Sequence, residues 1–147
     1  MKRNSAVTLV ELIIVIVIFT LTLALLTPFV NKMKERANVI KCSNNVRMIS
    51  LALHMYALDH GEEFPGSLAE LYPAYIKKEK ILDCPAASAR GTSLEPSYEY
   101  VTGLTESSGG TEVILYDKDG NHGKVGRNIV RVNGSVEWVG STAGKPR

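Results

Sequence analysis

The chain has 147 residues, a formal net charge of +2 and 45% hydrophobic residues, enough for one small domain once its apolar N-terminal stretch is set aside. Its 17 Lys and Arg are spread along the chain rather than gathered in one segment, which argues against a nucleic-acid-binding face. Cys42 and Cys84 stand apart rather than in a CxxC pair, which argues against a zinc ribbon or a thioredoxin-like redox motif.

The first element follows a short basic leader, MKRNSA. Leu12 to Leu26 carries no charge and two threonines, and residues 7–30 together are long enough to cross a bilayer as a helix. A secretory signal peptide is the competing reading, but no small-x-small cleavage site follows the apolar core before TPFVNKMKER. Inside this run sits one acid, Glu11. A carboxylate in a spanning helix is costly at the centre and less so near the interface, so Glu11 either reaches water from the interface or has a partner. Pro28 lies further along and should kink the helix, because it lacks a backbone donor.

The helix is predicted to continue, since residues 31–60 contain no Gly or Pro. Cys42, Val46, Ile49, Leu53 and Tyr56 recur at spacings of four and three, drawing one apolar stripe that faces a core. Gly61, Pro65 and Gly66 end it. Ser67 and Glu70 have capping-box spacing, so SLAELYPAYI reads as a short second helix or turn cut by Pro73. ILDCPAASARGTSLEPS is loop. The remainder alternates as strands: YEYVTG, TEVILYD, RNIVRV and SVEWV, with Asn133-Gly134 as a two-residue hairpin turn between the last two. The layout is α+β, a long helix against a small antiparallel sheet.

Candidate sites are few. Asp117, Asp119 and Asn121 are spaced two apart and could aim three oxygens at a Ca2+ ion, although DKDGN lacks the Gly and Glu positions of an EF-hand; a polar turn is the plain alternative. His54, His60 and His122 show no ligand spacing and read as surface or core residues. Cys42 and Cys84 are expected to form a disulfide in an oxidising compartment, pinning the long helix to the loop and contributing about 3–4 kcal/mol; zinc ligation with a histidine is the alternative. No hydrolase elbow, zinc-protease or phosphate-loop motif is present, so no enzymatic activity is expected. Trp138 and the tyrosines read as sheet packing.

The leader, the VTLVE that follows it and the long aliphatic run resemble the type III signal of type IV pilins and type II secretion pseudopilins. The resemblance implies a leader of residues 1–6, cleaved between Ala6 and Val7 by a prepilin peptidase, with methylation of the new Val7 amine. Ala6 stands where the family usually has Gly, and Val7 where it usually has Phe. Glu11 then becomes the fifth residue of the mature chain and pairs with the N-terminal amine of a neighbouring subunit, while Pro28 falls where such helices commonly bend. Residues 7–30 are the membrane and assembly helix, and residues 31–147 an extracytoplasmic domain of pilin fold. KCSNNVRMISLALHMYALDHGEEFPGSLAELYPAYI followed by CP looks like the soluble half of pseudopilin-like proteins. LYDKDGNHG with NIVRVNGSVEWV looks like the C-terminal module of a group of secreted prepilin-type proteins, with one extra residue after His122 and Asn133 in place of Asp. Major pseudopilins of this kind use a calcium loop near the C-terminus.

The implied role is a structural subunit of a type II secretion pseudopilus or type IV pilus-like filament. Its partners are copies of itself, other pseudopilins, the prepilin peptidase and an inner-membrane assembly platform. The implied location is the bacterial inner membrane, single-pass, with the C-terminal domain outside the cytoplasm. Lys32, Lys34, Arg36 and Lys41 outnumber Lys2 and Arg3, so the positive-inside rule alone points the other way, and the resemblance overrides it. The rival from another class is a membrane-anchored ectodomain that binds or modifies a ligand and forms no filament.

Overall fold

The computed structural model describes residues 8–87, 90–123 and 125–140. One helix, α1, runs from Leu9 to Asp59 with Pro28 inside it. Two single 3-10 turns follow, Leu68–Leu71 and Glu79–Leu82, and then four strands: β1 (Tyr98–Tyr100), β2 (Val113–Asp117), β3 (Gly126–Arg131) and β4 (Val136–Gly140). The strands form one antiparallel meander in chain order.

The chain divides into two compact units at Arg36. In the first, every described residue is exposed, and an 18-residue window reaches a mean hydropathy of 3.0. An apolar helix left bare in this way needs lipid or other apolar helices around it. Its few hydroxyls do not oppose that setting. Thr20, Thr22 and Thr27 donate to the carbonyls of Val17, Phe19 and Leu23 at 2.8–2.9 Å, so each hydrogen bond is satisfied within the helix. Pro28 cannot donate to the Ala24 carbonyl, a loss that membrane helices tolerate.

In the second unit the spacing of apolar residues along α1 has its anticipated consequence. Cys42, Val46, Ile49 and Leu53 are buried and pack with Leu68, Leu71, Ile76, Leu82, Cys84, Tyr98, Ile114, Leu115, Val130 and Val132. Tyr56, the last member of the stripe, is half-buried, and its hydroxyl donates to the Glu70 carboxylate at 3.0 Å. Val113, Tyr116 and Ile129 make a smaller cluster with Val139. A register shift between Val113 and Leu115 lets Ile114 and Leu115, consecutive residues, both join the main core. The helix stops as its composition requires: the Glu62 amide donates back to the Ala57 carbonyl at 2.8 Å, with Gly61 in the left-handed region.

Two local expectations are corrected. The Ser67–Glu70 spacing does not make a capping box: the Ser67 hydroxyl donates to the Glu70 carboxylate at 3.4 Å and caps no amide, because the segment is one 3-10 turn instead of a helix. The last hairpin is also longer than two residues. Its turn is closed by the Gly134 amide on the Arg131 carbonyl at 2.9 Å, with Val132 and Asn133 at the centre and Gly134 at φ +78° as the bulge residue. That shift lets Val132 reach the core while Val130 pairs with Val136.

Chemical unfolding of the detergent-solubilised full chain checks the stripe. Ile49→Ala, at a fully buried site, should lower stability by about 2–5 kcal/mol, whereas Leu51→Ala, 63% exposed on the same helix, should stay within about 0.5 kcal/mol.

Candidate functional site

Two places concentrate chemistry. The first is the start of α1. Thr8 precedes the helix, its carbonyl accepts from the Leu12 amide at 3.2 Å, and its hydroxyl accepts from the Glu11 amide at 3.3 Å. Thr8 is therefore the N-cap and Glu11 the third helical residue, the T-x-x-E arrangement of a helix start, with an acid facing the positive end of the helix dipole. The sequence reading treated Glu11 only as a charge in an apolar run and missed this capping role, which the TLVE spacing itself signals. The Glu11 side chain is exposed, free to meet a partner outside the chain. Ala6 and Val7, the residues of the anticipated cleavage and methylation, lie outside the described residues.

The second place is a buried polar cluster inside the C-terminal unit. Cys42 comes from α1, Cys84 from the segment after the second 3-10 turn, Asp117 from the last position of β2, and His122 from the β2–β3 loop. All four are at least 95% buried. The Cys42 thiol donates to Asp117 Oδ1 at 2.9 Å; Asp117 Oδ2 lies 3.2 Å from His122 Nε2, which is 3.6 Å from Cys84 Sγ. Asp117 Oδ2 also accepts from the Asn128 amide at 2.7 Å and from Asn128 Nδ2 at 2.8 Å. The Tyr98 hydroxyl stands 3.5 Å from Cys42 Sγ, and the His122 ring meets Trp138 edge-on with centroids 5.4 Å apart.

The charges in this cluster are set by burial and mutual hydrogen bonding. Burial opposes ionisation of Asp117, but bonds from His122, Cys42 and Asn128 outweigh it and hold the carboxyl below its usual range. Burial likewise disfavours the charged imidazole of His122, and the bond to Asp117, reinforced by Cys84, still pushes it up to about 9. The two neighbouring thiols are shifted in opposite directions: the proximity of Cys84, then burial and Asp117, push Cys42 up, and the proximity of Cys42, helped by His122 against burial, pulls Cys84 down.

The residues singled out in the sequence are thus partly regrouped. Cys42 and Cys84 do come together, as a bridge from the long helix to the loop requires, and both stand as free thiols here. Asp117, Asp119 and Asn121 do not converge. Asp117 turns into the core, Asp119 is exposed and pairs with Arg127 at 2.7 Å, and Asn121 donates to the Ser97 carbonyl at 2.6 Å. The calcium expectation fails for a physical reason: Asp117 closes a strand and points inward, and the residues after it belong to a turning loop that breaks the alternation. Of the histidines, His54 sits half-buried against Glu106 and His60 stacks on Tyr56; His122 is the one that joins the cysteines. Among the described residues, Cys42, Cys84, Asp117 and His122 are a donor set able to hold a metal ion.

Comparison with known proteins bears on the first place. Residues 1–27 match the family model described as the prokaryotic N-terminal methylation motif, which includes Ala6, Val7 and Glu11. No curated protein and no solved structure matches the chain.

Thermal or chemical unfolding checks how much the buried carboxylate contributes. Asp117→Ala, which strands the Asn128 donors and His122, should cost about 3–5 kcal/mol. Asp119→Ala, whose side chain is 82% exposed, should cost no more than about 1 kcal/mol.

Proposed function

Because the chain carries a prokaryotic N-terminal methylation motif of the kind that marks type IV pilins and pseudopilins, we propose that it is a structural subunit of a filament. The filament is a type II secretion pseudopilus or a type IV pilus-like fibre, and the subunit does no chemistry of its own. The observation that carries this reading is the bare apolar helix from Leu9 with one acid, Glu11, in its first turn and inside the matched motif.

The physical logic runs through that acid. A prepilin peptidase cutting after Ala6 would leave Val7 as a methylated N-terminus, still cationic, four residues before Glu11. In a bundle of such helices the ammonium of one subunit and the carboxylate of another are each expensive in an apolar setting alone and compatible together. The pair then fixes the stagger of neighbouring helices, while the aliphatic surface supplies the area they bury. The chain resides in the inner membrane before assembly, with residues 31–147 outside the cytoplasm, and works with copies of itself, other pseudopilins and an assembly platform.

Expression of Glu11 variants in a filament-forming host tests this. Glu11→Gln keeps a residue that suits the helix start and removes only the charge. It should leave the protein in the membrane at normal level and abolish filaments. Normal filament yield from both Glu11→Gln and Glu11→Ala would contradict the proposal and favour a plain membrane anchor for a ligand-binding domain.

A further inference from the structure

We infer that Cys42, Cys84, Asp117 and His122 form a zinc site that clips α1 to the β-sheet within the C-terminal unit. Their ligand atoms, Cys42 Sγ, Cys84 Sγ, one carboxylate oxygen of Asp117 and His122 Nε2, all lie within 4.8 Å of one another. Bonds of about 2.0–2.3 Å to a tetrahedral ion place neighbouring donors about 3.3–3.8 Å apart. The separation of 3.6 Å between Cys84 Sγ and His122 Nε2 is close to those edges; Asp117 meets the other two donors through different oxygens, Oδ2 at 3.2 Å from His122 Nε2 and Oδ1 at 2.9 Å from Cys42 Sγ, so ligation by one of them needs a modest opening of the cluster.

The donor chemistry selects the ion. Two thiolates and an imidazole are soft to borderline ligands, suited to zinc and unsuited to calcium or magnesium, which take oxygen. The four residues come from four separate segments, and none is more than 5% exposed. So complete a closure, with no room for substrate, is the form of a structural site.

The surroundings support ligation. Asn128 gives both its amide and its side-chain nitrogen to Asp117 Oδ2, fixing the carboxylate so that Oδ1 faces Cys42. The Tyr98 hydroxyl accepts from the Cys42 thiol at 3.5 Å and donates to the Asp83 carbonyl at 3.5 Å, so it would have to turn its proton to support a thiolate. His122 faces the sulfur and the carboxylate through Nε2, while its Nδ1 has no hydrogen-bond partner among the described residues. A disulfide between Cys42 and Cys84 would engage two of these four groups and leave Asp117 and His122 paired with each other and with Asn128. A zinc ion engages all four. Binding energy at a site absent from the unfolded chain adds directly to folding stability, which suits a unit of this small size.

The test is metal analysis of the full chain, carrying no histidine tag, purified in detergent from membranes without chelator. The result expected is one zinc per chain, a melting temperature lowered by chelator and restored by Zn2+, and loss of the zinc in Cys84→Ser and His122→Ala. Those variants can fold poorly, so cobalt exchange into the unaltered protein supplies a second reading: a thiolate-to-cobalt charge-transfer band is expected. Sub-stoichiometric zinc with a melting temperature indifferent to zinc and chelator would overturn the site. So would a purified chain lighter by two hydrogens with no alkylatable thiol, which establishes the disulfide, or zinc fully retained by a well-folded Cys42→Ser/Cys84→Ser double variant.

Discussion

One continuous helix has to satisfy two environments, and the rest of the molecule is arranged around that requirement. From Leu9 to Val30 its side chains are exposed and overwhelmingly apolar, and from Cys42 onward a stripe three and four residues apart is buried under a sheet. The first stretch cannot be stable in water and the second cannot be stable without its sheet. The former needs lipid or other apolar helices around it. The meander of β1 to β4, with the two 3-10 turns, completes the latter. Polar groups in the apolar stretch are handled locally, by threonine hydroxyls returned to the preceding turn, which leaves Glu11 as the one charged side chain between Leu9 and Val30.

The C-terminal unit has a comparable problem of scale. It is small, and its core is built from one face of one helix, the segment of the two 3-10 turns and a four-stranded sheet, so apolar burial leaves a narrow margin over chain entropy. Its centre nevertheless holds an aspartate, a histidine and two thiols, all shielded from solvent. Buried ionisable groups are tolerated only where they satisfy one another, and here every one of the four touches at least one other, with Asn128 and Tyr98 completing the contacts. The cluster therefore joins helix, loop and strand at one point, a function that apolar packing of comparable volume would perform with less geometric selectivity.

Much of this was readable from local patterns. The stripe from Cys42 to Leu53, the stop at Gly61 and the four strands all follow from periodicity and from turn residues, which are local properties. The errors arose where tertiary context decided between local options. Ser67 has a capping sequence but too short a segment to cap, and Asn133-Gly134 has a hairpin sequence whose register moved by one so that Val132 could be buried. The polar cluster was legible only in fragments, because its members are 42, 33 and 5 positions apart along the chain. Asp117 ending the apolar strand VILYD was the available signal: a carboxylate in phase with buried residues needs a buried partner, and His122 five residues later, with Cys42 on the buried stripe, supplies it.

The most direct test is the intact mass and N-terminal peptide of the protein isolated from its own membrane. The account requires a chain beginning at N-methylated Val7, which puts a cationic terminus in reach of Glu11 of a neighbouring subunit. A chain that begins at Met1 would contradict it, since the acid in the helix would then have no processed amine to meet.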